Sequence, residues 1–91
     1  MFKTLEELIA IIRHRKASPT EVSYTNKLLK DKKLSVEKVK EEIAELIDAI
    51  EKNTNKVHEA SDVLYHLMVL LEANDIKIED VMDELKKRQK K

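Results

Sequence analysis

From Val63 to Leu71 the chain reads VLYHLMVLL, nine residues that are apolar apart from His66 and the hydroxyl of Tyr65. A helix built from such a run is apolar nearly all round, so it has to be wrapped by neighbours or by another subunit. It is too short to cross a bilayer, which takes about 20 apolar residues. The run therefore demands a helical core that closes around it. Composition agrees: glycine is absent and proline occurs once, whereas an all-β chain draws on glycine for its hairpin turns.

Periodicity divides the chain into helices joined by Asn, Asp and Ser turns. Residues 4–16 carry an apolar stripe of Leu5, Leu8, Ile9 and Ile12, with Thr4 and Glu7 spaced as a capping box and a basic end, Arg13 to Lys16. That basic end fits either a solvated, dipole-matched terminus or an anion-binding cluster. After a loop around Pro19, Ser23 is placed to cap a short helix over 24–32, with Leu28 and Leu29 inward. Ser35 is expected to cap a third over 36–52. Its apolar face is Val36, Val39, Ile43, Leu46, Ile47 and Ile50. Asn53-Thr54-Asn55 is a turn, since asparagine tolerates the left-handed conformation that stops helices. A fourth helix runs over 55–73, Asn74-Asp75 turns the chain again, and a fifth covers 78–88. The tail from Lys86 to Lys91 is expected to fray.

The expected fold is all-α: one domain, residues 1–91, as a compact bundle of four to five helices with antiparallel neighbours. The all-round apolar helix would leave much surface exposed in a chain of 91 residues, so a homo-oligomer, a dimer, is expected to complete it. Cysteine is absent, which excludes disulfides and thiolate metal sites and suits a cytoplasmic setting. The N-terminal apolar residues are interleaved with charge, so no secretory leader or membrane association is expected. Eighteen basic residues balance eighteen acidic ones, which argues against a bulk nucleic-acid footprint.

Two acidic clusters flank the Asn53–Asn55 turn: Glu41-Glu42-x-x-Glu45 before it and Glu59-x-x-Asp62 after it. Acids on a helix face are commonly solvated charge. Asp62, however, runs straight into the apolar stretch, where a lone carboxylate has to be paired or hold a metal. Two helices joined by a tight turn can bring Glu42 and Glu45 opposite Glu59 and Asp62. Converging carboxylates without thiolates make a hard oxygen site suited to Mg²⁺ or Mn²⁺ with a phosphate ligand. From these residues alone, the metal site and surface charge paired with nearby lysines both stand. His66 fits a hydrogen-bonded core histidine or a ligand, and Ser23 and Thr25 fit helix capping.

The clusters also resemble the signature of the all-α, MazG-type nucleoside triphosphate pyrophosphohydrolases. Three further stretches narrow the likeness: Arg15-Lys16-x-x-Pro19, Ser23-Tyr24-Thr25-x-Lys27-Leu28-Leu29, and Asp62-Val63-Leu64-Tyr65-His66-Leu67. With them the chain resembles the phosphoribosyl-ATP pyrophosphohydrolase family from about Leu5 to Arg88. The resemblance implies Mg²⁺-dependent hydrolysis of 1-(5-phosphoribosyl)-ATP to the AMP compound and pyrophosphate, the second step of histidine biosynthesis. It implies Glu42, Glu45, Glu59 and Asp62 as metal ligands. Glu41 would be a ligand through water or a base. Arg15, Lys16, Lys27 and Lys38 would contact phosphate, Ser23, Tyr24 and Thr25 would shape the substrate pocket, and Tyr65 and His66 would support the ligands.

Two departures from the family pattern bear on loop geometry: Lys40 stands where a glycine usually precedes the paired glutamates, and Asp31-Lys32-Lys33-Leu34 where a glycine usually follows the second helix. The zinc-dependent cyclohydrolase domain to which this activity is fused in some organisms is not expected in a cysteine-free chain. The rival functions are a house-cleaning (d)NTP pyrophosphatase of the same superfamily and a non-catalytic helical interaction module.

Overall fold

A computed structural model describes residues 2–89. It contains five helices: α1 (Lys3–Lys16), α2 (Tyr24–Lys30), α3 (Lys32–Lys52), α4 (Lys56–Ala73) and α5 (Ile78–Arg88). No strand occurs among the described residues, so the expected all-α class holds. The apolar run lies in α4, which packs against α1, α2 and α3. Ile12, Leu28, Met68 and Val69 form the buried centre, with Leu5, Leu8, Ile9, Leu29 and Leu34 closing around it. Helix α5 is docked at the edge: Ile78 touches the core, while Met82 and Leu85 stay exposed.

Local chemistry accounts for the helix ends. Ser23 is extended and its Oγ accepts the Asn26 N–H at 3.0 Å, capping α2 as expected. Asn53 ends α3 in the left-handed conformation (φ 56°), and Asn55 (φ 41°) starts α4. Asp75 (φ 58°) supplies the turn after α4.

Two expected caps are corrected. Helix α3 starts one turn before Ser35, because Asp31 caps it by accepting the Leu34 N–H at 3.1 Å. Ser35 is instead buried in the first turn. Aspartate is a strong N-cap residue, and a single junction residue lets α3 begin where α2 stops. The Thr4–Glu7 capping box does not form, since α1 begins at Lys3 with Phe2 at its cap position. Thr4 is then already helical and lacks the extended backbone of a cap. The C-terminal chain is helical through Arg88, the expected end of the fifth helix, and Lys90 and Lys91 of the expected frayed tail lie outside the described residues. Neither family glycine is needed here. The only positive-φ residues described are Asn53, Asn55 and Asp75, so α3 passes through Lys40 undisturbed.

The apolar stripe of α3 is only partly used. Val39 is buried, but Ile43, Ile47 and Ile50 are 43, 51 and 56% exposed, and Leu64 of α4 is exposed as well. A single chain thus leaves apolar side chains exposed on α3 and on α4.

Candidate metal centre and nucleotide pocket

Helices α3 and α4 run back to back through the Asn53–Asn55 turn, so acids near the end of one face acids near the start of the other. Glu42, Glu45 and Glu59 each place an oxygen within 4.8 Å of the other two. Glu59 also belongs to a second group of the same tightness with His58 and Asp62. The four expected ligands are therefore arranged as three converging glutamates, with Asp62 joined to them through Glu59. Asp62 Oδ2 lies 3.4 Å from His58 Nε2, one helical turn earlier. His58 was not among the sequence candidates, although its spacing of four from Asp62 was readable.

The electrostatics of this cluster favour a positively charged partner. Glu42 Oε2 and Glu59 Oε2 are both buried with no hydrogen-bond partner. Burial pushes the Glu42 carboxyl above the usual carboxylate range, the neighbouring Glu45 adds to the shift, and His66 opposes it. Burial likewise raises Glu59, followed by the charge of Glu45. A divalent cation among these oxygens would supply the missing partners and reverse both shifts. The donors are all oxygen, with one imidazole at the rim, which suits Mg²⁺ or Mn²⁺. A cleft of about 410 Å³ opens beside the cluster, lined by Glu41, Glu45, Asp48, Thr54, Asn55 and Glu59.

A second layer ties α2 to the ligand-bearing helix. His66 is 7% exposed, and its Nδ1 lies 2.8 Å from the Asp62 carbonyl oxygen. A carbonyl can only accept, so Nδ1 carries a proton, and in the neutral ring Nε2 accepts the Tyr24 hydroxyl at 3.0 Å. Thr25 Oγ1 bonds the Tyr65 hydroxyl. The rings of Tyr24 and Tyr65 stack with centroids 6.4 Å apart. Burial raises the Tyr24 phenol pKa, with Lys38 opposing, so the hydroxyl keeps its proton. Lys38 also lies 3.5 Å from Glu41. Tyr24, Thr25, Lys38, Glu41, Tyr65 and His66 are thus gathered on the flank of the carboxylates.

The remaining cations divide. Lys16 donates to the Glu72 carbonyl and to Asp75, each at 2.6 Å, at the far end of α4. Glu72 is thirteen residues beyond Glu59, about 20 Å along the helix. Lys16 is therefore not brought to the carboxylates within one chain. Its neighbour Arg13 forks onto Glu79 and also bonds Glu72, so the basic end of α1 is largely neutralised by α4 and α5. Arg15 is half-exposed, with Glu21 at 4.0 Å, and Lys27 is exposed on α2. Asn26, the unassigned position in the Ser23–Leu29 stretch, is buried among polar partners. No periodicity distinguishes it from a solvent-facing asparagine, so sequence alone carried no signal for it.

Comparison with known proteins bears directly on this arrangement. The sequence profile described as phosphoribosyl-ATP pyrophosphohydrolase matches residues 5–89. A phosphoribosyl-ATP pyrophosphatase of Methanococcoides burtonii is 43% identical over 89 residues, covering 92% of this chain and 90% of that protein. The same-named protein of Methanocella arvoryzae is 40% identical over 95 residues, 99% of this chain and the whole of the relative. A histidine biosynthesis bifunctional protein of Pyrococcus furiosus is 46% identical over 87 residues, of which this chain spans only 41% of the length. The matched region takes in both acidic clusters, the α2 stretch and the α4 core together. With that coverage, the chain belongs to the phosphoribosyl-ATP pyrophosphohydrolase family.

Proposed function

We propose that this chain hydrolyses 1-(5-phosphoribosyl)-ATP to 1-(5-phosphoribosyl)-AMP and pyrophosphate, the second step of histidine biosynthesis, with Mg²⁺ as its cofactor and Mn²⁺ as a substitute. The observation that carries the reading is the pair of buried, partnerless oxygens on Glu42 and Glu59, set against Glu45. Family membership and the names of the relatives support the substrate.

Glu42, Glu45, Glu59 and Asp62 would hold the cation. When bound, Mg²⁺ supplies charge neutralisation of the polyphosphate and a coordinated water of lowered pKa. Water adds at phosphorus and the bridging P–O bond of the α–β anhydride breaks. The electron pair of that bond leaves with pyrophosphate, and the proton of the water passes to a carboxylate or to solvent. Glu41 lines the cleft and is close enough to Lys38 to be held by it. It acts as a ligand through water or as the base. Tyr24 and Thr25, fixed to His66 and Tyr65, shape the nucleotide side, with Ser23 capping their helix. Arg15, Lys27 and Lys38 meet phosphate oxygens. Lys16, committed to Asp75 in the single chain, reaches phosphate only by leaving that pair or across a subunit boundary.

The working unit is the single domain of residues 1–91, dimerised through the apolar face of Ile43, Ile47, Ile50 and Leu64. Such a face is costly to leave in water. We place the enzyme in the cytoplasm with its nucleotide substrate. No helix of the described residues is long and apolar enough to cross a membrane.

The deciding experiment is turnover on phosphoribosyl-ATP beside a panel of dNTPs, with and without Mg²⁺. Strong preference for phosphoribosyl-ATP is expected. Equal or better turnover of a dNTP would make the chain a house-cleaning pyrophosphatase. No metal-dependent turnover of any nucleotide would leave only an interaction module.

A further inference from the structure

Asn26 is 3% exposed, and every hydrogen-bonding group of its side chain is engaged. Its Nδ2 donates to the Arg15 carbonyl at 2.9 Å and to the Ser18 carbonyl at 3.1 Å. The Ser23 hydroxyl donates to its Oδ1 at 2.6 Å. The amide orientation follows from these partners, since the two carbonyls can only accept. Arg15 lies in the last turn of α1, and its carbonyl also accepts the Ser18 N–H at 3.0 Å. Asn26 adds a second donor to the Arg15 carbonyl and to the Ser18 carbonyl, which accepts the Glu21 N–H at 3.1 Å, and so braces the end of α1 from a distance. One side chain joins the end of α1 and the turn at Ser18 to the first turn of α2.

That first turn also carries Tyr24 and Thr25, which bond His66 and Tyr65 of α4. The chain of contacts runs from the Arg15 backbone through Asn26 and α2 to the helix bearing Glu59 and Asp62. Arg15 itself has only a long contact to Glu21 for its guanidinium. With no close partner for the guanidinium, its position follows from its backbone, and Asn26 is the side chain bonded to its carbonyl.

We propose that Asn26 is a positioning residue that sets Arg15 against the phosphates of the nucleotide, acting through the Arg15 and Ser18 carbonyls. The proposal rests on the reading of Arg15 as a phosphate contact. Asn26 is buried and its amide is taken up by Arg15, Ser18 and Ser23, so the proposed role is indirect.

The test is steady-state kinetics of the full chain on phosphoribosyl-ATP at saturating Mg²⁺, for Asn26→Ala, Arg15→Ala and the double variant. Measurements are made well below each variant's melting temperature. A misplaced charged contact raises KM roughly tenfold, while kcat stays within about threefold because the chemistry is untouched. The double variant is expected to be no worse than Arg15→Ala, as for two residues acting through one contact. The melting shift produced by Mg²⁺ alone is expected to match that of the parent. If Arg15→Ala raises KM and Asn26→Ala does not, or if the two effects add, the positioning role is overturned and Asn26 is a core residue only. If Arg15→Ala is silent, the phosphate reading of Arg15 fails, and the proposal falls with it. Should Asn26→Ala not fold, Asn26→Ser keeps one donor and is expected to give the same split at smaller size. Failure of both to fold also overturns the proposal.

Discussion

Replacing Tyr24 by phenylalanine isolates the bond between α2 and α4. The ring still fills its place beside Tyr65, and only the hydroxyl that donates to His66 Nε2 at 3.0 Å is lost. His66 cannot compensate by turning, because its Nδ1–H is committed to the Asp62 carbonyl at 2.8 Å. Its Nε2 is left as an acceptor in a residue that is 7% exposed. An orphaned buried acceptor costs about 1–3 kcal/mol. Tyr24 is itself 46% exposed, so water entering from that side favours the lower half of the range. For a domain of 91 residues, each kcal/mol lowers the melting temperature by roughly 4–8 °C.

Urea unfolding at fixed protein concentration reads the change as a shifted midpoint at constant slope. The double variant Tyr24→Phe/His66→Phe removes both polar partners, and Asp62 keeps its helical N–H donor. It should therefore lose less than the two single changes summed, with a coupling of about 1 kcal/mol or more. A Tyr24→Phe midpoint equal to the parent's, or strict additivity in the double variant, would refute the idea that this bond docks α2.

Three further outcomes are expected. Mg²⁺ at about 100 times its Kd should stabilise the parent by about 2.7 kcal/mol. Glu42→Gln and Glu59→Gln should lose that increment in thermal melts while remaining folded without metal. Arg13 holds the Glu79 carboxyl down to about 2, so its contribution is fully present above the ordinary carboxylate value and lost as pH falls toward 2. Urea midpoints of the parent should accordingly fall more steeply with acid than those of Arg13→Gln; parallel curves would show that the fork does not matter. Ile47→Glu should shift the sedimentation mass from dimer to monomer, since it sets a charge in the exposed apolar face; a parent that already sediments as a monomer would rule out that interface.

What could be read from the sequence alone was whatever depends on spacing along one helix. The absence of glycine, the period of the apolar residues and the asparagine turn gave the five helices. The acidic clusters on either side of Asn53–Asn55 gave the candidate ligands, because adjacent antiparallel helices leave few places for them to meet. Caps were less legible. Asp31 and Ser35 are both good N-cap residues, and which one served depended on how closely α3 followed α2.

The tertiary structure decided everything that joins distant segments. It set Asp62 beside His58 and joined it to the three glutamates through Glu59, turned Lys16 to Asp75 at the other end of α4, and made Asn26 the link between α1 and α2. These are pairings between residues that local propensity treats as interchangeable surface groups. Helix periodicity fixes which face a side chain occupies; only the packing of α1, α2 and α3 around α4 fixes which partner it finds there.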